Sequence, residues 1–495
     1  MRMQNPTTNN GQSKLSLLRR RLPVILSQLP QVVVDLGDRF AKKGFEFALV
    51  GGPVRDALLA RPSTDLDFTT NATPEQSEEI LKEWGDTSWD IGREFGTIGA
   101  YRGARNGENE VTVEVTTYRT DEYDPTSRKP LVVFGQRIEQ DLSRRDFTIN
   151  AMAIALPQRE FIDPFDGLSD LAAGLLRTPI KAEASFDDDP LRMMRAARFV
   201  AQIDFNLEPQ VRAAIEAMNE RISIVSAERV RDELVKLLLG NYAKAGVQAL
   251  VDTGLADRVI PEVAKMREAT DEHKRHKDVY EHSLIVLQQA IDLETDAAGP
   301  VPGPDLVLRL AALLHDIGKP DTRKFEANGS VSFHHHEIVG AKLTAKRLKA
   351  LRFDKETIKS VSRLVELHLR FHGYGDAAWT DSAVRRYVTD AGPLLERLHR
   401  LTRADCTTRN QRKAARLKGA YDDLEARIGQ LREQEELAAI RPDLDGQEIM
   451  EILGVRPGPV VGKAYNFLME LRLEKGPIGA RAAEVELLKW WETQA

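Results

Sequence analysis

Residues 49–70 read LVGGPVRDALLARPSTDLDFTT. The apolar run Phe47-Ala48-Leu49-Val50 predicts a buried strand that stops at Gly51-Gly52, and Val54, Ala57, Leu58 and Leu59 then share one face of a helix. A pair of glycines at a helix mouth lets a phosphate reach the backbone N–H groups and the positive helix end, and Arg55 adds a fixed cation. In Asp65-Leu66-Asp67-Phe68 the alternation points both carboxylates to one face and Leu66 and Phe68 to the other. Paired carboxylates beside a phosphate cradle suit Mg²⁺, which takes hard oxygen ligands and shares its shell with substrate phosphates.

Composition bounds what surrounds this stretch. A chain of 495 residues, 42% hydrophobic and 29% charged, has room for about three domains with self-sufficient cores. Its one cysteine, Cys406, excludes an intramolecular disulfide and fits a reducing cytoplasm. Arg19-Arg20-Arg21 ahead of LPVILSQLPQVVV imitates a secretory leader, but Pro23, Gln28, Pro30 and Gln31 interrupt the apolar run and no small-residue cleavage site follows. Residues 1–30 are therefore expected to be flexible, loose at the start with a helix following. No apolar run reaches the length of a membrane span. The net charge of −6 assigns any RNA contact to local basic patches.

Beyond residue 70, Gly96–Tyr101 and Val111–Thr117 read as strands, the second strictly alternating. Glu114 on that strand is either a third carboxylate beside Asp65 and Asp67 or a solvent-facing residue. The charged, turn-rich TYRTDEYDPTSRKP that follows predicts a mobile loop. In residues 141–156, DLSRRDFTINAMAIAL, Arg144 and Arg145 suit a triphosphate, while Asp146 and Asn150 can fix the turn and a ribose; taken alone, an RRD triplet is equally a surface salt bridge.

After the turn Asp163–Gly167 the pattern becomes helical. Residues 188–199, DDPLRMMRAARF, space Asp189, Arg192, Arg195 and Arg198 by threes along one helical stripe, which could be no more than a charged face. A carboxylate beside a guanidinium can also read a base. Cytosine and adenine both offer an exocyclic amino donor next to a ring-nitrogen acceptor, and uracil and guanine reverse that order. Asp189 accepting and Arg192 donating would take C and A and reject U and G.

A second chemistry begins near residue 265. Nine of the ten histidines fall between positions 273 and 372, a clustering that sets this segment apart from the rest. His315-Asp316 ends an apolar run, with His282 before it and His336, His368 and Asp405 after it, a ligand mixture for one or two divalent metals. His334 and His335 adjoin His336, so the register of that ligand is open. Metal-bound water in such a site would hydrolyse phosphoesters.

Taken together, GGxVRD with DxD, DLSRRDFTINAMA, DDPLR and SAERV resemble the signature segments of the class II CCA tRNA nucleotidyltransferase and poly(A) polymerase family, and the ordered H…HD…H…H…D set resembles the HD phosphohydrolase superfamily. The resemblance implies an α+β chain, with a small mixed-sheet nucleotidyltransferase head at 31–165. An all-α neck at 166–264, an HD domain at 265–410 and a helical tRNA-binding tail at 411–495 would follow. It implies Mg²⁺ on Asp65 and Asp67, nucleotide contacts from Gly51, Gly52, Arg55, Arg145, Asp146, Asn150, Asp189, Arg192, Arg195 and Arg198, and tRNA, ATP and CTP as partners. Asp188 stands where the family has glutamate, which puts its supporting role in doubt. The tail carries Arg409, Arg412, Lys413, Arg416 and Lys418, either a solvated face or a grip on RNA phosphates. The expected activity is template-independent addition of C, C and A to tRNA in the cytoplasm. The alternatives are a poly(A) polymerase or partial CC- or A-adding enzyme, and an HD phosphohydrolase with a non-catalytic RNA-binding head. The HD site is either an accessory phosphohydrolase for tRNA ends or a relic. Oligomeric state is not legible.

Overall fold

A computed structural model describes residues 6–62, 66–90, 92–93, 96–105, 109–122, 131–135, 137–269, 279–327, 331–371, 379–407, 410–435 and 440–494. Asp65, Arg409 and most of the expected mobile loop lie outside these residues. The chain divides into two compact units, Met1–Val259 and Ile260–Ala495.

In the first unit the apolar run forms strand β1, Phe47–Val50, buried along its whole length. Followed in chain order, β2 is Leu66–Thr70, β3 Thr87–Trp89, β4 Thr97–Arg102, β5 Val111–Thr117, β6 Arg119–Glu122, β7 Leu131–Phe134, β8 Ala153–Leu156 and β9 Glu160–Ile162. Seven of them make one mixed sheet in the order β3-β4-β5-β2-β1-β8-β9, with β2 and β5 parallel and the other neighbours antiparallel. Stacking of Phe40 on Phe47 at 4.3 Å, and of Phe47 on Phe68 at 4.7 Å, ties the helix Gln31–Lys42 to β1 and β2. Each buried ring contributes on the order of 2–3 kcal/mol, so the centre of the sheet is its most resistant part.

The helix expected within residues 1–30 runs from Pro6 to Ser27, seated through buried Leu18. Two sequence expectations need correcting. Part of the expected mobile loop is strand: β6 pairs antiparallel with β7, matching Arg119 with Phe134 and Glu122 with Leu131, a pairing that the charged turn residues between them hide. The region after residue 166 is not wholly helical, because Leu175–Leu176 pairs with Asn206–Leu207 and Lys324–Phe325 with Val331–Ser332. These ladders are two residues long, too short for any periodic signal.

The helical part of the first unit is built on Leu191–Ile203, buried at eleven positions and packed against Ala227–Leu238 and Ala243–Asp252. In the second unit Val279–Asp292, Leu306–Leu314, His336–Ala350, Lys355–Leu367 and Leu395–Asp405 pack together. Its C-terminal helices Gly446–Leu453, Pro459–Lys475 and Ala480–Glu492 enclose their own core of Leu444, Ile449, Leu468 and Leu487. Arg385 joins them to the rest of that unit, donating to Glu435 at 2.8 Å and to the Leu473 carbonyl at 3.3 Å. Among the described residues no helix is long and apolar enough to cross a membrane.

Candidate active site and metal centre

The glycine turn falls where the sequence places it. Gly51, at φ +76°, caps the helix Gly52–Leu58 in a conformation that L side chains rarely adopt. A Cβ there would come within 2.8 Å of Arg145 Nη1, so the missing side chain is what lets that guanidinium close over the turn. Arg55 donates to Asn150 Oδ1 at 2.6 Å, and Asn150 Nδ2 donates to Asp146 Oδ1 at 2.9 Å. Arg195 Nε donates to Asp146 Oδ2 at 2.7 Å. Turn, RRD segment and neck helix are therefore one hydrogen-bonded chain. Burial works against charge on Asp146, but Arg195, Asn150 and Arg198 outweigh it and hold the carboxyl well below its usual range. Arg198 is itself buried and pairs with Glu233 at 3.1 Å; burial and Arg195 bring its pKa down to about 10.

On the sheet, Asp67 of β2 and Glu114 of β5 are direct partners across a parallel pairing, so their side chains leave the same face. Phe68, Val113 and Val115 alternate to the other face and are buried. Glu114 thus stands beside Asp67 and is exposed as well, so neither sequence alternative is excluded.

The Asp189 segment departs from the expected stripe. The helix Ala182–Asp188 ends, Asp189 is extended at φ −142° and ψ 99°, and a new helix starts at Leu191. Pro190 is the cause, since a residue before proline is driven out of the helical region. Asp189 therefore sits on a turn, where Oδ1 accepts from the Leu191 backbone at 3.1 Å and Oδ2 from Arg229 at 3.2 Å. Arg192, buried, donates to Ser185 Oγ at 2.8 Å and to the Arg144 carbonyl. Sequence reasoning missed Arg229, Ser185 and Glu233 as supports; the helix break could have been read from Pro190, the Arg229 contact could not.

In the second unit the predicted ligands converge. His282, His315 and Asp405 form one group able to hold a metal, and Asp316, His336 and His368 another. Three imidazoles are oriented the same way. Nδ1–H donates to the backbone carbonyl three residues back, from His315 to Ala312 at 2.9 Å, His336 to Phe333 at 2.8 Å and His368 to Val365 at 2.6 Å. A carbonyl only accepts, so Nδ1 carries a proton, and in the neutral ring the Nε2 lone pair is left for a metal. Nε2 of His336 and of His368 is buried without a well-formed hydrogen bond, 3.2 and 3.8 Å from Asp316 Oδ1. Orphaned ring nitrogens beside a carboxylate fit a divalent cation. His336 is buried in this group, whereas His334 and His335 are exposed. Gly318 permits the closure, since a Cβ there would lie 2.1 Å from the His336 carbonyl. Burial opposes charge on His315, yet Asp316 and Asp405 raise its pKa to about 10, whereas burial and His315 push His368 down to about 3. Two supports were missed: Lys319, 2.9 Å from Asp316, and Thr407, 3.2 Å from His282 Nδ1.

Comparison with known proteins agrees with this geometry. The family model described as the poly A polymerase head domain matches residues 47–177, that of the probable RNA- and SrmB-binding site of polymerase A residues 204–266, and the HD domain residues 279–428. The A-adding tRNA nucleotidyltransferase of Deinococcus radiodurans is 33% identical over 454 residues, 90% of this chain and 95% of that protein. The CCA-adding enzyme of Lactobacillus gasseri is 40% identical over 239 residues, 47% of this chain and 57% of that protein. The crystal structure of the Bacillus stearothermophilus CCA-adding enzyme in complex with CTP shares the fold, at a TM-score of 0.63 and 23% identity over 94% of this chain and 98% of that one. Sheet, glycine turn and histidine cluster thus define the class, a nucleotidyltransferase-type head followed by an HD-type helical unit. The chain belongs to the tRNA nucleotidyltransferase family.

Proposed function

We propose that the protein adds C, C and A to the 3′ end of tRNA from CTP and ATP, without a template and in the cytoplasm. The observation that carries this reading is the unbroken path Arg55–Asn150–Asp146–Arg195, which ties the glycine turn to the helix following Asp189. A phosphate cradle and a base-reading segment are thereby one rigid object, as a single bound nucleotide requires.

In this reading Gly51, Gly52, Arg55, Arg145, Arg195 and Arg198 hold the triphosphate, and Asp146 and Asn150 keep those groups in place. Asp189 accepts from the amino group of C or A while Arg192 donates to the adjacent ring nitrogen. The bonds that pin Arg192 to Ser185 and the Arg144 carbonyl are made by its Nη1 and Nη2, and each Asp189 oxygen retains a lone pair. The 3′ hydroxyl of the RNA bonds to the α-phosphorus as the bond to the leaving pyrophosphate breaks. Asp65 and Asp67, with Glu114 alongside, would hold Mg²⁺. When bound, it lowers the pKa of the attacking hydroxyl and neutralises charge on the leaving oxygens. Asp67 and Glu114, hard carboxylate donors on one sheet face, fit that ion.

The four-part division into head, neck, HD domain and tail at 31–165, 166–264, 265–410 and 411–495 remains our proposal, with the tail helices gripping tRNA phosphates. The histidine cluster would hold a divalent metal on His282, His315, Asp316, His336, His368 and Asp405 and serve as an accessory phosphohydrolase for tRNA ends.

A second reading, addition of A alone, is favoured by the likeness to the A-adding relative over nearly its whole length. One experiment separates the two. Purified protein is incubated with Mg²⁺ and either tRNA lacking its terminal trinucleotide or tRNA ending in CC, with CTP and ATP singly and together. Extension by CCA and then arrest supports the first reading; extension only of tRNA already ending in CC supports the second. A long A tail, or none with phosphoester cleavage alone, overturns both.

A further inference from the structure

Phe199 lies in the helix Leu191–Ile203, only 3% exposed. The guanidinium carbons of Arg55, Arg195 and Arg198 lie 5.2, 5.9 and 4.5 Å from its ring centroid. The ring of Phe147, from the RRD segment, meets it edge-on at 5.6 Å and 89°. One aromatic side chain therefore touches the helix after the glycine turn, the RRD segment and two arginines of its own helix.

Three guanidinium groups so placed repel one another, and each is turned aside by its own acid: Arg55 by Asp56, Arg195 by Asp146 and Arg198 by Glu233. Hydrogen bonds through Asn150 and Asp146 join Arg55 to Arg195, and Glu233 holds Arg198. Phe199 touches all three guanidinium groups directly, and the negative face of its π system attracts each cation. A phosphate chain meeting cations already fixed in place avoids the cost of ordering long side chains on binding.

We propose that Phe199 is a positioning residue that holds Arg55, Arg195 and Arg198 as one preformed cation cluster for the phosphates of the incoming nucleoside triphosphate. This deepens the function proposed above and rests on it. The role belongs to the aromatic face, because an aliphatic side chain of similar volume would fill the space and remove the π face that all three cations share.

The test uses the full chain with Phe199→Leu, Phe199→Met and Phe199→Tyr. CTP binding is followed by calorimetry in Mg²⁺, nucleotide addition by steady-state kinetics, and folding by thermal melting. In Phe199→Leu and Phe199→Met the Kd for CTP and the KM for CTP and ATP should rise on the order of tenfold. Their kcat should stay within about twofold and their KM for tRNA unchanged, while Phe199→Tyr should stay within about threefold of the parent. Should Phe199→Leu fail to fold, Phe199→Met carries the comparison, being closer in shape. Unchanged nucleotide affinity in the aliphatic variants overturns the proposal. So does a parallel rise in the KM values for nucleotide and tRNA, or failure of Phe199→Tyr to restore binding. If the parent binds CTP but adds nothing to tRNA, the proposed function fails, while the calorimetric comparison still decides the role of Phe199.

Discussion

Arg229 donates to Asp189 at 3.2 Å across forty residues of sequence, while Arg192, three residues from Asp189, turns its guanidinium to Ser185 and the Arg144 carbonyl. The two members of the proposed base-reading pair are thus each held by a group outside the pair. A reader of this kind works only if neither member can swing, and both are pinned.

Arg229→Ala should therefore loosen selection without abolishing chemistry. We expect kcat/KM for CTP and ATP to fall on the order of tenfold, and misincorporation of UTP and GTP to rise, with KM for tRNA unchanged. Single-nucleotide incorporation assays check this. Arg229 is exposed, so the melting temperature should scarcely move.

Asp146 supplies a stability prediction. Its charge is buried against Arg195 and Asn150, and Asp146→Asn would leave the guanidinium without its counter-charge, at a cost of about 3–5 kcal/mol in chemical denaturation. The folded pKa is depressed relative to the unfolded one, so the unfolded chain binds more protons as the medium turns acidic. The contribution is fully present above the ordinary carboxylate pKa of about 4 and drains away as pH falls toward the folded value. Parent stability should thus drop more steeply than that of Asp146→Asn in that window.

In the second unit, His368→Ala and His315→Ala should each lower the content of bound divalent metal, measured by mass spectrometry of the native protein. Nucleotide addition should persist in both variants. Chelation of the parent should lower its melting temperature, because cations that bind only the folded cluster stabilise it by mass action. Loss of addition in folded His315→Ala would mean that the two sites do not work independently.

How much of this was legible in the chain depends on how far apart the contacting residues lie. The Gly51-Gly52 turn and the strand with Asp67 could be read because each combines a local period with a local chemistry. The histidine ligands could be named because imidazole and carboxylate in that order have few other uses, though only the fold buries His336 and leaves its two neighbours exposed. Spacing by threes points to a helix through Asp189, and Pro190 overrides it. The Arg229 contact, the β6–β7 pairing and the Phe199 cluster depend on tertiary packing, which no short window of sequence encodes.

The central claim is that the sheet carboxylates beside the glycine turn perform nucleotide transfer. It is tested most directly by transfer of labelled CMP from CTP to tRNA lacking its terminal trinucleotide, under single-turnover conditions with Asp67→Asn and the parent. The account predicts transfer in the parent, loss of transfer in Asp67→Asn, and the same Kd for tRNA in both. Transfer by folded Asp67→Asn at the parental rate would contradict it.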